Sequence, residues 1–468
     1  MSNTISSSTF KTLLFEAVYE KNEFTFKYYG HSSSANIDFK IENGYVIIRG
    51  QFELTDDITF NARDIYNKSI VIDGGNFKNI IFTGGNFNKF VFRRGSFDGY
   101  VSIRGGAFNK IVLLGGNFKH WLGTLDGIRN FVSIDNKPIE LAEEKLEIKQ
   151  FEIEGGTFAH NIWINGGIIK KLEIRSVSAI KLHCSPNEDK SYNDDNGTYA
   201  NLYDSKPKIN DIVISRYINK DSFYQFNQLS INTLSFISCT NLGNTTFSEI
   251  SINKLILFEN SDVGKTSFIN CNFIENSLKF KNSKLTEISL TGTNLPTFQI
   301  DKDEKPDYIQ ASLAMSQIKK VYQNMGDYSK SYRYKAEELK SNLSIPGFKW
   351  DKINLFLNKL SNDFEQSWAR ALMIILIGNI FLFSAYCKSL GYHIEFSWNG
   401  VEKCLGMSKY LLEFINPIRK IDTIPGYLFT YETISIGSNT ILIDSLSKLF
   451  NAYMIYQFIS AFRRHGKN

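Results

Sequence analysis

The sequence predicts a solenoid of short parallel strands, a β-helix, followed by an α-helical neck and two transmembrane helices. Three observations carry that prediction. In GGNFKNIIFTGGNFNKFVFRRGSFDGYVSIRGGAFNKIVLLGGNFKH, residues 74–120, Phe77, Phe87, Phe97, Phe108 and Phe118 stand ten or eleven residues apart, each two residues after Gly75, Gly85, Gly95, Gly106 or Gly116. Residues 368–386, WARALMIILIGNIFLFSAY, are apolar over the length that a bilayer core of about 30 Å requires. Residues 441–462 form a second run of that length but carry Asp444, Lys448, Asn451 and Gln457.

Residues 1–39 read as an N-terminal cap region. The opening MSNTISSSTFKTLLFEAVYEKNEFTF has no charged stretch followed by an apolar one, which argues against a cleaved signal peptide. The whole chain of 468 residues carries 53 Lys and Arg against 48 Asp and Glu, a net charge of +5, too mild for a dedicated duplex-binding surface. Its five cysteines, Cys184, Cys239, Cys271, Cys387 and Cys404, show no metal-binding spacing and predict no disulfide framework.

The solenoid is assigned to residues 40–300. Between the glycines lie runs such as NIIF, KFVF, KIVLL and, later, NIWI and KLEI, short and rich in β-branched and aromatic residues, so each reads as a strand ending in a tight corner. A finer beat of five joins Phe77, Phe82, Phe87, Phe92 and Phe97, and returns at Phe268, Phe273 and Leu278 and at Leu285, Leu290 and Leu295, with Cys271, Asn276 and Ser283 in the small positions. Such coils bury their Phe and Leu only by stacking on neighbours about 4.8 Å away, so stability grows with repeat number. At these residues the chain resembles the pentapeptide-repeat proteins, which implies a right-handed β-helix; a broader β-helix with longer coils is equally allowed by the paired glycines. Residues 183–209 interrupt the rod with polar and turn residues. Asp194 and Asp195 there lack the ligand spacing of a calcium loop, so the segment reads as a solvated insertion.

Counting from the phenylalanines suggests a column of cations, Lys89, Arg93, Arg104 and Lys110, that stacked coils would align into a stripe able to follow a phosphate backbone. Solvated rungs of a soluble rod are the competing reading.

Residues 305–366 read as the neck and an interfacial helix. Two helices are predicted to meet at Gly326-Asp327, and in DKINLFLNKLSNDFEQSW the residues Ile353, Phe356, Leu357, Leu360, Phe364 and Trp368 recur at helical spacing, as in a helix lying on a membrane surface. Residues 367–468 form the membrane domain. On its second span Asp444, Lys448 and Asn451 share one face, and charge at bilayer depth costs about 2.5 to 3.5 kcal/mol, so this face must meet another helix or water. A helix interface with an Asp444–Lys448 pair and the lining of a multi-copy pore are both open readings.

Lys349, Lys352 and Lys359 precede the first span, and Arg463, Arg464 and Lys467 follow the second, which predicts that both termini and the β-helix face the cytoplasm. Residues 425–440, PGYLFTYETISIGSNT, stand before the second span as a re-entrant stretch would, adding Ser435, Gly437 and Ser438 to the pore-lining candidates. The order of span, re-entrant stretch and polar-faced span resembles two-span ion channels, but Ser435 and Ile436 replace the first glycine and the tyrosine of the potassium filter, so potassium selectivity is unsupported. An ordinary extracytoplasmic loop is the alternative. Six histidines form no HExxH cluster, and GxxxxGK[ST] and GxSxG are missing, so no enzyme activity and no cofactor are expected.

β-Helix, neck, two spans and a basic tail in this order also resemble bacterial membrane effectors of anti-phage systems such as Hailong. That resemblance implies a homo-oligomer, with a tetramer as its working number, in the bacterial inner membrane. It further implies a pore gated by a single-stranded DNA oligomer or nucleotide that a partner nucleotidyltransferase makes. A membrane-anchored β-helix scaffold without conduction is the alternative.

Overall fold

The computed structural model describes residues 4–20, 25–29, 36–124, 145–175, 181–185, 207–218, 221–241, 244–273, 277–285, 287–296, 307–347, 350–391, 410–428 and 436–465. They form two compact units, Met1–Gly326 and Asp327–Asn468.

The first unit is a β-solenoid of about nine turns. Its parallel pairing is visible along one column: Ile58 pairs with Ile80, Ile80 with Val101, Val101 with Leu122, Leu122 with Ile162, and Ile162 with Leu182. The column continues through Tyr224, Thr245 and Thr266. Most steps are 20 to 22 residues long, so the ten-residue beat of the phenylalanines is half a coil. Alternate members therefore stack. Phe77 lies over Phe97 at 5.4 Å and Phe97 over Phe118 at 4.6 Å, whereas Phe87 stacks on Phe108 at 4.7 Å in a second column. Each ring is almost wholly buried, and burying a phenylalanine stabilises by about 1.5 to 3 kcal/mol. The polar insertion falls in one of the two long steps, Leu182 to Tyr224, with strands ending at Cys184 and resuming at Lys208, and most of it lies outside the described residues.

Corners are made in two ways. In the first coils glycine turns the chain: Gly106 has φ +102°, and a Cβ there would stand 2.8 Å from the Gly85 carbonyl oxygen. Later corners place Ser238, Asn260 and Asn282 at φ near +50°, the left-handed region that short polar side chains tolerate. Beside them the small buried residues form a ladder, in which the Cys239 N–H donates to Ser261 Oγ at 3.2 Å and the Ser261 N–H to Ser283 Oγ at 3.1 Å. The hydroxyl slot thus satisfies backbone donors that a tight corner would otherwise leave bare.

Both ends of the stack are covered. At the first, an antiparallel sheet of Thr25–Tyr29, Asn36–Glu42 and Tyr45–Gln51 precedes the parallel coils, and helix α1 (Ser7–Tyr19) sets Phe10 against Phe39, Phe52 and Phe77. At the other, α2 (Tyr308–Asn324) provides acceptors for exposed-edge amides: Asn282 N–H donates to Gln310 Oε1, Leu285 N–H to Gln317 Oε1 and Leu295 N–H to Tyr322 Oη. Capping in this manner removes the open strand edge on which another chain would pair.

The second unit holds α3 (Tyr328–Ser344), α4 (Trp350–Asn362), α5 (Trp368–Ser389), a helical turn at 410–415, α6 (Thr423–Leu428) and α7 (Ser438–His465). On α4 the predicted apolar stripe, Ile353, Phe356, Leu357 and Leu360, is exposed together with Trp350. Helix α5 has 22 residues, a length of about 33 Å at 1.5 Å per residue, and an 18-residue window with a mean hydropathy of 1.8. Among the described residues it is the one helix long and apolar enough to cross a membrane; α7 is longer but more polar.

Candidate functional site

Helices α5 and α7 pack side by side and antiparallel. Three contacts fix the register: Ser389 Oγ lies 3.1 Å from Thr440 Oγ1, Asn379 meets Asn451, and the Trp368 ring packs on Phe458 and Phe462. Outer faces are apolar, with Met373, Ile377, Ile380 and Phe381 of α5 and Leu442, Leu446 and Leu449 of α7 exposed. Polar groups collect at the seam between them. The two asparagines are fully buried and bond reciprocally: Asn379 Nδ2 donates to Asn451 Oδ1 at 2.6 Å, and Asn451 Nδ2 to Asn379 Oδ1 at 2.9 Å.

A returning segment completes the seam. Phe414, in the helical turn at 410–415, offers its carbonyl to Asn451 Nδ2 at 3.1 Å, and Ile415 packs with Ala371, Ile375 and Met454. The chain thus enters between the helices as far as their midpoint before it turns back towards α6. Arg419 closes the turn: its Nη1 donates to the Phe414 and Asn416 carbonyls, a cation at the negative end of a helical turn, and its guanidinium lies 4.1 Å from the Phe414 ring centroid. Its Nη2 donates to Asp444 Oδ1 at 2.7 Å and to Ser447 Oγ at 2.6 Å. Lys448 Nζ holds the other Asp444 oxygen at 2.7 Å. Arg419 and Asp444 are almost completely buried, whereas the Lys448 side chain is 28% exposed.

Of the residues predicted to line a pore, Asp444 and Asn451 therefore point into their own chain, packed against α5 and the 410–419 segment. The reason is valence: one aspartate and one asparagine find all their partners within a single copy, so the chain buries them there. Gly437 and Ser438 are exposed at the start of α7, where the Gly437 carbonyl accepts from Thr440 N–H; Ser435 lies outside the described residues. A stretch that packs into the seam is 410–419; of the predicted re-entrant stretch 425–440, 425–428 belongs to α6 and 438–440 to α7, while 429–435 lies outside the described residues. Sequence reasoning missed Arg419. Its only trace was an aspartate on an apolar helix whose one nearby cation, Lys448, reaches a single oxygen.

On the solenoid, Lys89 and Lys110 are in register and therefore stack. Arg93 shares their face, two rows further along the strand. Arg104 does not join them: successive phenylalanines alternate between two faces, so Arg104 lies on the other one, 2% exposed, with Nε donating to Ser102 Oγ at 2.9 Å. Arg49 and Arg94 take its place, at 2.9 and 3.5 Å from Asp73, while Arg93 stands 3.8 Å from the same carboxylate. Lys110 pairs with Glu152 at 2.5 Å, and Lys89 lies over the Tyr45 ring. Arg49, Lys89, Arg93, Arg94 and Lys110 thus share this face with Asp73 and Glu152, and Asp38 stands opposite Arg49 in the strand register. Further along this face the carboxylates are matched: burial pushes the Glu173 carboxyl up, but bonds from Arg175 and Lys171 outweigh it and hold the group below its usual range.

Among the described residues no three His, Cys, Asp or Glu side chains gather as metal ligands. Cys184, Cys239, Cys271 and Cys387 are buried and form no disulfide, and burial pushes the Cys184 thiol well up and Cys239 to about 11, so neither of these two is a nucleophile at neutral pH. Comparison with protein-family models, with curated proteins and with solved structures found no significant match to the chain. The fold and the seam are therefore read on their own chemistry.

Proposed function

We propose that the protein is a homo-oligomeric membrane effector, in which a cytoplasmic β-solenoid governs a pore built from α5, the 410–428 segment and α7. One observation carries this reading: the buried Arg419–Asp444–Lys448 set beside the Asn379–Asn451 pair. Because α7 runs antiparallel to α5 along its whole length, the two helices share one depth, and a bilayer crossed by α5 is crossed by α7. Charges at that depth cost about 2.5 to 3.5 kcal/mol each, whereas hydrogen bonds between spans return only about 0.6 to 1.7 kcal/mol. An anchor has no use for such groups. Irregular backbone such as residues 416–422 is tolerated in a membrane only where protein or a water-filled cavity covers it, which also favours a channel-like arrangement.

A single copy is then the shut form, locked by Arg419 on Asp444. Opening requires copies to gather and that pair to part. The cationic face of Arg49, Lys89, Arg93, Arg94 and Lys110 suits a single-stranded DNA oligomer or nucleotide, and control by such a ligand in anti-phage defence at the bacterial inner membrane is what the resemblance to Hailong-type effectors implies.

The second reading is an anchored scaffold, favoured by the satisfaction of the asparagine pair and of Asp444 within one chain. Planar bilayers separate the two. Purified protein, shown by protease protection to be inserted, should pass stepwise currents that change when a short single-stranded DNA is added or removed, and Arg419→Gln should raise the open fraction. Silent membranes under both conditions, with Arg419→Gln equally silent, refute the pore and leave the anchor.

A further inference from the structure

A second polar feature lies on a different face of the solenoid, independent of the membrane unit and of the cationic face. Strands Ile162–Ile164, Lys181–Cys184, Phe223–Asn227, Asn244–Ser248 and Thr266–Ile269 are successive rungs of one sheet. Their outward residues form two rows. Trp163, His183, Gln225 and Thr246 make one; Asn165, Ser185, Asn227 and Ser248 make the other, two residues on. A groove of about 500 Å³ runs along these rows, within the range of ligand sites.

Its lining is unusual in charge. Side-chain amides (Asn165, Gln225, Asn227 and Gln228) and hydroxyls (Ser185, Thr246 and Ser248) dominate, the one carboxylate is Glu249, His183 stands on the row beside them, and no Lys or Arg is among the described lining residues. Two of the amide oxygens, Asn165 Oδ1 and Asn227 Oδ1, are buried without a hydrogen-bond partner. Buried acceptors of this kind are costly unless a donor arrives, which makes them a request for O–H or N–H groups from outside. At one end, Trp163 is 36% exposed. One neighbour on its row, His183, stacks on the indole at 4.7 Å; the other, Gly123, has no side chain with which to cover it.

The geometry points to a binding site for an uncharged carbohydrate chain lying along the rod axis. Vicinal hydroxyls supply the donors that the two amide oxygens lack and accept from the amide nitrogens, and the apolar face of a sugar ring sits on the Trp163 indole. A nucleic acid strand fits less well, because a phosphate beside Glu249 would meet like charge with no Lys or Arg among the described lining residues to offset it.

Isothermal titration of the full chain in lipid nanodiscs, free of glycoside detergents, tests this with cellotetraose, maltotetraose and N,N′,N″,N‴-tetraacetylchitotetraose. At least one is expected to bind with a micromolar to millimolar Kd. Trp163→Ala should weaken it roughly tenfold, the loss of one aromatic contact, with Trp163→Phe intermediate and Gln228→Ala also weaker. Unaltered melting of the variants would separate lost binding from lost fold. No binding of any of the three sugars at millimolar concentration overturns the proposal, as does binding that Trp163→Ala leaves unchanged. Displacement of the sugar by a single-stranded adenine tetranucleotide that binds more tightly reassigns the groove to nucleic acid and overturns it as well.

Discussion

Replacing Arg419 by methionine tests the seam most directly, because the side chain keeps an unbranched apolar stem and loses the guanidinium with its charge. The guanidinium gives Asp444 and Ser447 one hydrogen bond each, at 2.7 and 2.6 Å, and caps two carbonyls. Afterwards Phe414 O keeps the Asn451 amide and Asp444 keeps Lys448, while Asp444 Oδ1 is left buried without its charged donor. Removing one partner of a buried pair costs about 3 to 5 kcal/mol, and the surviving Lys448 contact places this case near 3. That corresponds to roughly a hundredfold more of the opened membrane unit. The double variant Arg419→Met, Asp444→Leu removes the orphaned charge and should return to within about 1 kcal/mol of the parent, since an apolar replacement of a buried pair is near neutral. Lys448 is then free to extend towards water from its partly exposed position. Cys387 is wholly buried in the cluster with Tyr386 and Phe414, so its alkylation, followed by peptide mass mapping as denaturing detergent is raised, reports opening. If Arg419→Met shifts the midpoint by less than about 1 kcal/mol, or if the double variant is no better than the single one, Arg419 does not hold the seam and the reasoning fails.

Three further outcomes follow from the solenoid. Phe87→Ala removes a ring stacked on Phe108 and Tyr66 in a fully buried column and should cost about 3 to 5 kcal/mol in urea unfolding of the solenoid; a loss below about 1 would contradict the stacked core. Gly106→Ala puts a methyl against the backbone of Gly84 and Gly85 at a φ of +102°, and should lower the melting temperature, whereas Ser238→Gly, at φ +50° and exposed, should leave it unchanged or raise it; equal effects would remove the corner argument. Burial among Trp163 and Phe223 lowers the His183 pKa from 6.5, partly opposed by its hydrogen bond with Gln225. The unfolded chain then binds the proton more readily, so stability contains no loss from this group above pH 6.5 and declines as pH falls below it; His183→Gln should flatten that decline, and an unchanged slope would count against it.

The Phe–Gly beat was legible because it is a covalent fact, and its consequence, a stack of coils with aromatic columns inside, needs only that strands bury one face. What the beat concealed was its phase. Ten residues is half a coil, so Lys89 and Lys110 stack as expected while Arg104 is carried to the opposite face and buried; no count along the chain reveals which multiple of the beat closes a turn. The capping role of α2 was hidden for a similar reason, since Gln310, Gln317 and Tyr322 look like ordinary helix residues until the last coil presents its bare amides.

By itself the sequence determined the elements: apolar α5, the polar stripe of α7 and the exposed apolar edge of α4 all follow from helical spacing and from the energy of burying or wetting a side chain. Only tertiary structure decided where that stripe is spent. Arg419 lies 25 residues before Asp444 in a connecting segment, and nothing local requires the two to meet. They meet because a buried carboxylate takes the strongest donor within reach, and reach is a property of the folded chain.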